Sequence, residues 1–177
     1  MLYKCTDCEG TVPACRHRIS VGGSLREARV DAVRKGVAPA EVEWLRARFA
    51  EHDSPYAVDL QRRAQSGRPR EGCTGVVPAC TSLVHQRGEF PRVMRLLDMS
   101  SEEVTTALPD PGCCGYPLDA AGLRDEFVAH AKRVAKSLEG YGRLAVQGAA
   151  CAWTLGVRYR ELGVRVKPEV LPLVDLL

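Results

Sequence analysis

The 177-residue sequence predicts an α/β protein: a helical, cysteine-containing segment over residues 1–68, then a small α/β domain over 69–177. Three observations predict it. After residue 72, helix-period apolar patterns alternate with short β-branched runs, whereas the earlier part reads helical throughout. A polar stretch over 66–72, Ser-Gly-Arg-Pro-Arg-Glu-Gly, forms a hinge between the two halves. The composition is 45% hydrophobic with a formal charge of +3, which suits a chain that closes an ordinary core without disulfide staples.

The elements run in order along the chain. Residues 1–20 are turn-rich and carry Cys5, Cys8 and Cys15. Ser24-Leu25-Arg26-Glu27 reads as a capping box opening a helix that ends near Gly36. Pro39 starts a second helix, on which Val42, Leu45 and Phe49 share a face with Trp44 beside it. Asp53-Ser54-Pro55 turns the chain into a short helix rich in Arg and Gln. Beyond the hinge, Cys73 opens the second half and a helix runs through Phe90 to Met99. Ser100 and Ser101 before Glu102-Glu103 predict another helix start, and Pro109-Asp110-Pro111-Gly112 forces a loop. Asp119 is placed to cap a long helix over about 122–138, where Phe127, Ala131, Val134 and Leu138 recur at helical spacing. Gly140 and Gly142 end it, and Leu144-Ala145-Val146 reads as a buried strand. A helix from Trp153 to Glu161, an extended Val164-Arg165-Val166 and an apolar helix from Pro168 complete the chain. One run is echoed: Thr11-Val12-Pro13-Ala14-Cys15 against Val76-Val77-Pro78-Ala79-Cys80.

Several function classes are not expected. Arginines are scattered rather than clustered, so no nucleic-acid partner is expected. No apolar run approaches the roughly 20 residues of a membrane span. The start, Met1-Leu2-Tyr3-Lys4-Cys5, lacks the apolar core of a secretory leader, so the expected compartment is the cytoplasm. Val21-Gly22-Gly23-Ser24 is too short for a phosphate-binding loop, and no Ser/His/Asp arrangement stands out. His52, His85 and His130 read as surface or satisfied polar groups. Trp153 reads as core, and Arg143 and Arg158 read as solvated surface.

Eight cysteines then carry the chemistry. In a reducing compartment they point to metal binding or redox chemistry rather than cross-links. Cys113 and Cys114 are adjacent and flanked by Gly112 and Gly115, which lets the backbone approach a bound group closely. From Cys73 to Cys113 there are 39 intervening residues, and from Cys114 to Cys151 there are 36. Each gap holds about one helix and its connections, so four thiols on three loops can converge. Thiolates beside backbone N–H groups suit an iron–sulfur cluster. Structural zinc is the alternative, although zinc sites favour paired C-x2-4-C knuckles that this region lacks.

Gly72-Cys73, Cys113-Cys114-Gly115-Tyr116-Pro117 followed by Ala121-Gly122, and Ala145-Val146-Gln147 leading into Cys151 resemble the CCG (cysteine-rich) domain. That domain occurs in heterodisulfide reductase subunits, in the C subunit of anaerobic glycerol-3-phosphate dehydrogenase and in lactate-oxidation iron–sulfur proteins. The resemblance covers about residues 70–177. It implies a [4Fe-4S] cluster on Cys73, Cys113, Cys114 and Cys151, with Gly112 and Gly115 shaping the loop that holds it. The family commonly ends in a C-x-x-C pair, where this chain has Gly148 three residues before Cys151. A noncubane cluster would need about five cysteines, and Cys80, with 32 residues between it and Cys113, could supply the fifth thiol.

The N-terminal region resembles the ferredoxin-like half that precedes CCG domains, whose pattern is C-x2-C-x2-C-x3-C-P. Here Thr11 stands at the third cysteine and Arg16 at the proline, while Asp53-Ser54-Pro55-Tyr56 resembles the linking turn. Cys5, Cys8 and Cys15 with Cys80 would make a second, tentative centre. The expected function is electron transfer within a heterodisulfide-reductase-like complex. Its implied partners are a flavoprotein, a ferredoxin-like subunit or a quinone-linked subunit. One CCG domain where relatives often have two implies a homodimer or a companion CCG chain. The alternatives are a thiol–disulfide reductase subunit and a zinc-stabilised interaction module.

Overall fold

A computed structural model describes residues 2–6, 8, 12–64, 72–99 and 103–176. Four parallel strands form one sheet: β1 (Thr74–Val77), β2 (Val104–Thr106), β3 (Arg143–Val146) and β4 (Glu169–Pro172), in the order β2-β1-β3-β4. Thr74 is in register with Val104 on one side and Arg143 on the other, and Arg143 with Glu169. The N-terminal part supplies α1 (Val21–Arg34), α2 (Ala40–His52) and α3 (Leu60–Ala64). Helices α4 (Cys80–His85) and α5 (Glu89–Leu97) link β1 to β2, and α6 (Tyr116–Ala121) and α7 (Arg124–Ser137) link β2 to β3. The last crossover is α8 (Ala149–Trp153), a π-helical turn (Thr154–Arg158) and α9 (Tyr159–Glu161). The α/β class holds, with helices leading into a small parallel sheet.

Consecutive strand residues face opposite layers. Val77, Leu144 and Val146 join the core under α6 and α7, while Val76 and Ala145 join the one under α3, α4 and α5. A parallel sheet covered on both faces needs such unbroken apolar runs, because neither side meets water. On α7, Phe127, Ala131 and Val134 are buried, as is Leu138 just past its end, as their spacing predicts. On α2, Val42 and Phe49 are buried while Trp44 stands 55% exposed.

Several elements differ from the sequence reading. Strand β1 was not expected, since a four-residue strand buried on both faces shows no alternation. Its Gly75 is required by packing, because a Cβ there would lie 2.6 Å from the Ala107 Cβ and 2.7 Å from the Tyr141 ring. The helix expected from Ser100 and Ser101 is replaced, after residues outside the described set, by the β-branched strand Val104–Thr106. The C-terminal helix expected from Pro168 is instead β4, which hydrogen-bonds along the open edge of β3 and leads into a 3-10 turn, Leu173–Leu176. Asp119 does not cap the long helix: Gly122, at φ 86°, ends α6, and α7 starts at Arg124. At the first helix the cap is Ser20, whose side chain accepts from the Gly23 N–H at 2.9 Å, while Ser24 Oγ donates to the Ser20 carbonyl at 3.0 Å. The hinge over 66–72 lies, apart from Gly72, outside the described residues.

The N-terminal part is fastened to the sheet domain. A Cβ on Gly122 would come within 2.5 Å of the Arg29 carbonyl carbon, so the α1 and α6 backbones touch there. The Arg29 guanidinium donates to the carbonyls of Leu2, Cys5 and Ala120 at 2.7–3.1 Å. Among the described residues, no helix is long and apolar enough to cross a membrane.

Candidate metal centre

In an open parallel sheet, the crevice outside the carboxyl ends of the strands opens where the strand order reverses. Here the chain leaves β1 toward β2 and later crosses back to β3, so that point lies between β1 and β3. Both strands run straight into cysteine loops. Val77-Pro78-Ala79 delivers Cys80 to the start of α4, and Val146-Gln147-Gly148 delivers Cys151 into α8. The Cys113-Cys114 pair arrives on the loop from β2 into α6.

The four thiols meet. Cys114 Sγ and Cys151 Sγ are 3.2 Å apart. The Cys113 side chain interacts with those of Cys80 and Cys114, so neighbouring thiols run from Cys80 through Cys113 and Cys114 to Cys151. Cys113 and Cys114 are 2% and 4% exposed, while Cys80 and Cys151 are half-buried, so the centre meets solvent on the Cys80–Cys151 side. Backbone N–H groups point at the sulfurs. Gly115 N–H donates to Cys113 Sγ at 3.4 Å, the Tyr116 N–H reaches Cys114 and the Thr81 N–H reaches Cys80. The thiols differ in acidity. Interactions with the Cys113 and Cys151 side chains hold Cys114 well below the usual thiol range. Contact with the Cys114 side chain, together with burial, pushes Cys113 and Cys151 well above it. Cys80 is lowered, chiefly by the neighbouring Cys113 side chain.

The loops are held in place by polar side chains. Gln147 Oε1 accepts from the Ala79 N–H at 3.0 Å, tying the Cys80 loop to the Cys151 loop. His130 Nε2 lies 2.8 Å from the Cys113 carbonyl, and Tyr159 Oη donates to the Cys114 carbonyl at 2.7 Å. Gly112 (φ 102°) and Gly115 (φ 78°) both adopt the left-handed backbone that bends the chain through the cysteine pair. At Gly115 a Cβ would also strike His130 Cδ2 at 2.8 Å. Asp119, inside α6, takes the Arg158 guanidinium on both oxygens at 2.9 and 3.0 Å and Arg26 at 3.4 Å. Arg158, read from sequence as solvated surface, is therefore a buried ion-pair partner at 7% exposure. His130 is a satisfied polar group, buried at 3% exposure with Nε2 on the cysteine loop. Arg26 lies over the Trp153 ring at 5.0 Å.

The set differs from the sequence expectation at one ligand. Cys73 precedes β1, and its carbonyl accepts from the Gly142 N–H at the sheet's amino end. At roughly 3.3 Å per residue, the strand carries the chain about 13 Å from Cys73 to the far end of β1. Strand direction thus puts Cys80 in the centre and Cys73 outside it. The sequence signal for this was the Val76-Val77-x-x-Cys80 run, a β-branched pair leading to a cysteine much as Ala145-Val146 leads to Cys151. With Cys80 engaged here, the tentative grouping of Cys5, Cys8, Cys15 and Cys80 is not formed. Cys5 and Cys15 are half-buried and Cys8 is exposed. The Ile19 and His17 N–H groups lower the Cys15 thiol, and Thr11 lies outside the described residues.

Among the described residues, no group of three or more His, Cys, Asp or Glu side chains surrounds a point fit for a single metal ion. The four thiols instead lie as neighbours, with Cys114 and Cys151 in direct contact. Their donor chemistry, all thiol with amide N–H groups behind it and no carboxylate or imidazole, suits a sulfur-bridged iron cluster rather than a hard cation. No protein-family model matches the chain, and neither the curated proteins nor the solved structures give a match.

Proposed function

We propose that the chain is an iron–sulfur electron-transfer protein that holds a [4Fe-4S] cluster on Cys80, Cys113, Cys114 and Cys151. The observation that carries this reading is the convergence of four thiols, from three loops, at the carboxyl ends of β1 and β3. When bound, such a cluster supplies one-electron chemistry at a potential set by its surroundings. The chain's own residues do the rest. Backbone N–H groups at the starts of α4 and α6 stabilise thiolate charge. Buried Cys113 and Cys114 keep water from the inner side. The half-exposed Cys80–Cys151 side is where a redox partner would dock. A flavoprotein, a ferredoxin-like chain or a quinone-linked chain is the partner class that the sequence resemblance implies. The direct contact between Cys114 and Cys151 sulfurs favours a second reading, thiol–disulfide reduction at the same site.

The test is anaerobic purification with iron and sulfide analysis and electron paramagnetic resonance, on wild type, Cys80→Ser and Cys73→Ser. The expected result is about four iron and four sulfide per chain, lost in Cys80→Ser and kept in Cys73→Ser. Zinc alone, or loss of iron in Cys73→Ser but not in Cys80→Ser, refutes the assignment.

A further inference from the structure

Peptide units are planar and trans, so a carbonyl and the N–H bonded to its carbon point to opposite edges of one rigid plate. The Cys114–Gly115 plate is gripped at both edges. Tyr159 Oη donates to its carbonyl at 2.7 Å, and its N–H donates to Cys113 Sγ at 3.4 Å. Tyr159 is fully buried, and its ring packs edge-on against Phe127 at 5.6 Å, which leaves the hydroxyl little freedom. The π-helical turn Thr154–Arg158 directly precedes it. Such a turn adds about one residue to the helical count and rotates the residues after it by about 100° relative to an unbroken α-helix. Arg158 and Tyr159 leave that turn aimed at Asp119 and at the Cys114 carbonyl. Both belong to the structure around the cysteine pair.

We infer that Tyr159 is a positioning residue: its hydroxyl fixes the Cys114–Gly115 peptide so that the Gly115 N–H faces the Cys113 sulfur, and this sets how readily the centre accepts an electron. The proposal rests on the reading of the four thiols as a cluster site. Its sign comes from charge. Reduction adds negative charge to a centre and its ligand sulfurs, and an N–H donor stabilises the more negative state more strongly. Polarising the carbonyl edge of the plate strengthens the N–H at the other edge. Losing the hydroxyl therefore favours the oxidised form. A hydroxyl that merely satisfied a buried carbonyl would affect stability alone.

The experiment compares wild type, Tyr159→Phe and Leu97→Ala. Leu97 is fully buried in the core on the other face of the sheet, so its variant controls for lost stability. In the reduced, cluster-free chain, amide hydrogen exchange read by nuclear magnetic resonance tracks the Gly115 N–H. In the iron-loaded chain, a redox titration reads the midpoint potential. Tyr159→Phe is expected to speed Gly115 exchange about fivefold or more, a loss of roughly one hydrogen bond. It is also expected to shift the one-electron reduction equilibrium about tenfold toward the oxidised form, ~59 mV lower. Leu97→Ala is expected to do neither. Wild-type exchange and potential in Tyr159→Phe, or equal shifts in Leu97→Ala, overturn the inference. So does a wild-type Gly115 amide that exchanges like an exposed loop, a result that needs no variant to fold. A wild-type chain that takes up no iron removes the underlying reading instead.

Discussion

Asp119→Ala tests the ion-pair cluster that joins the first helix to the cysteine domain. The carboxylate is 1% exposed and faces two guanidinium groups whose side chains are 8% and 7% exposed. Removing one member of a buried pair costs about 3–5 kcal/mol, because the remaining charge stays out of water without its partner. Two features place the cost near the lower end. Arg158 keeps Glu161, whose Oε2 lies 2.9 Å away, and Arg26 keeps its stacking over Trp153. A loss of about 3 kcal/mol is therefore expected. With urea m-values of roughly 1–3 kcal/mol/M for small proteins, that lowers the midpoint by about 1 M or more at unchanged slope. The assay is urea unfolding of the reduced chain, monitored by circular dichroism. Asp119→Asn, which keeps one oxygen acceptor, is expected to lose less than Asp119→Ala. Replacing Asp119, Arg26 and Arg158 together by Leu, Met and Met is expected to recover most of the stability, since no buried charge is then left over. A loss below about 1 kcal/mol in Asp119→Ala would show that water reaches the pair and that burial is not what makes it matter.

Two further outcomes concern the cysteine loop. Gly115→Ala sets a Cβ 2.8 Å from His130 Cδ2 and 3.2 Å from Phe127 Cδ2, on a backbone at φ 78°. The left-handed conformation and the overpacking together are expected to destabilise the chain by about 2–5 kcal/mol, measured by urea unfolding; a loss under about 1 kcal/mol would contradict the packing. When the metal-free chain is treated with a low-molecular-weight disulfide, the first internal bridge is expected between Cys114 and Cys151, whose sulfurs lie 3.2 Å apart. Peptide mapping by mass spectrometry reads it, and a first bridge through Cys73 would mean that the strand ends are arranged otherwise.

The fold class was legible because one of its two longest helices, α7, has clear periodicity: Phe127, Ala131, Val134 and Leu138 recur on one face. Strand β3 was legible as an apolar run between glycines. Strand β1 was not, since Gly75 interrupts a run of only four residues and both faces are covered. The adjacent cysteine pair and Cys151 could be read from glycine context and spacing. The choice between Cys73 and Cys80 could not, because either spacing holds a helix and its connections. What decides it is the direction of β1, and that depends on β2 and β3 pairing in parallel beside it. Asp119 and Arg158 escaped for a related reason. They are 39 positions apart, and no local pattern reports a charge pair made across that distance.

The separation of the four converging cysteines along the chain also orders events in time. Cys80 and Cys151 are 71 positions apart, and the adjacent pair lies between them. A polypeptide still emerging from the ribosome can offer at most three of these sulfurs until the segment after β3 has been made. On the proposed cluster reading, iron delivery to this site waits until that segment has been made. Until then, the early thiols depend on the reducing power of their surroundings to stay apart.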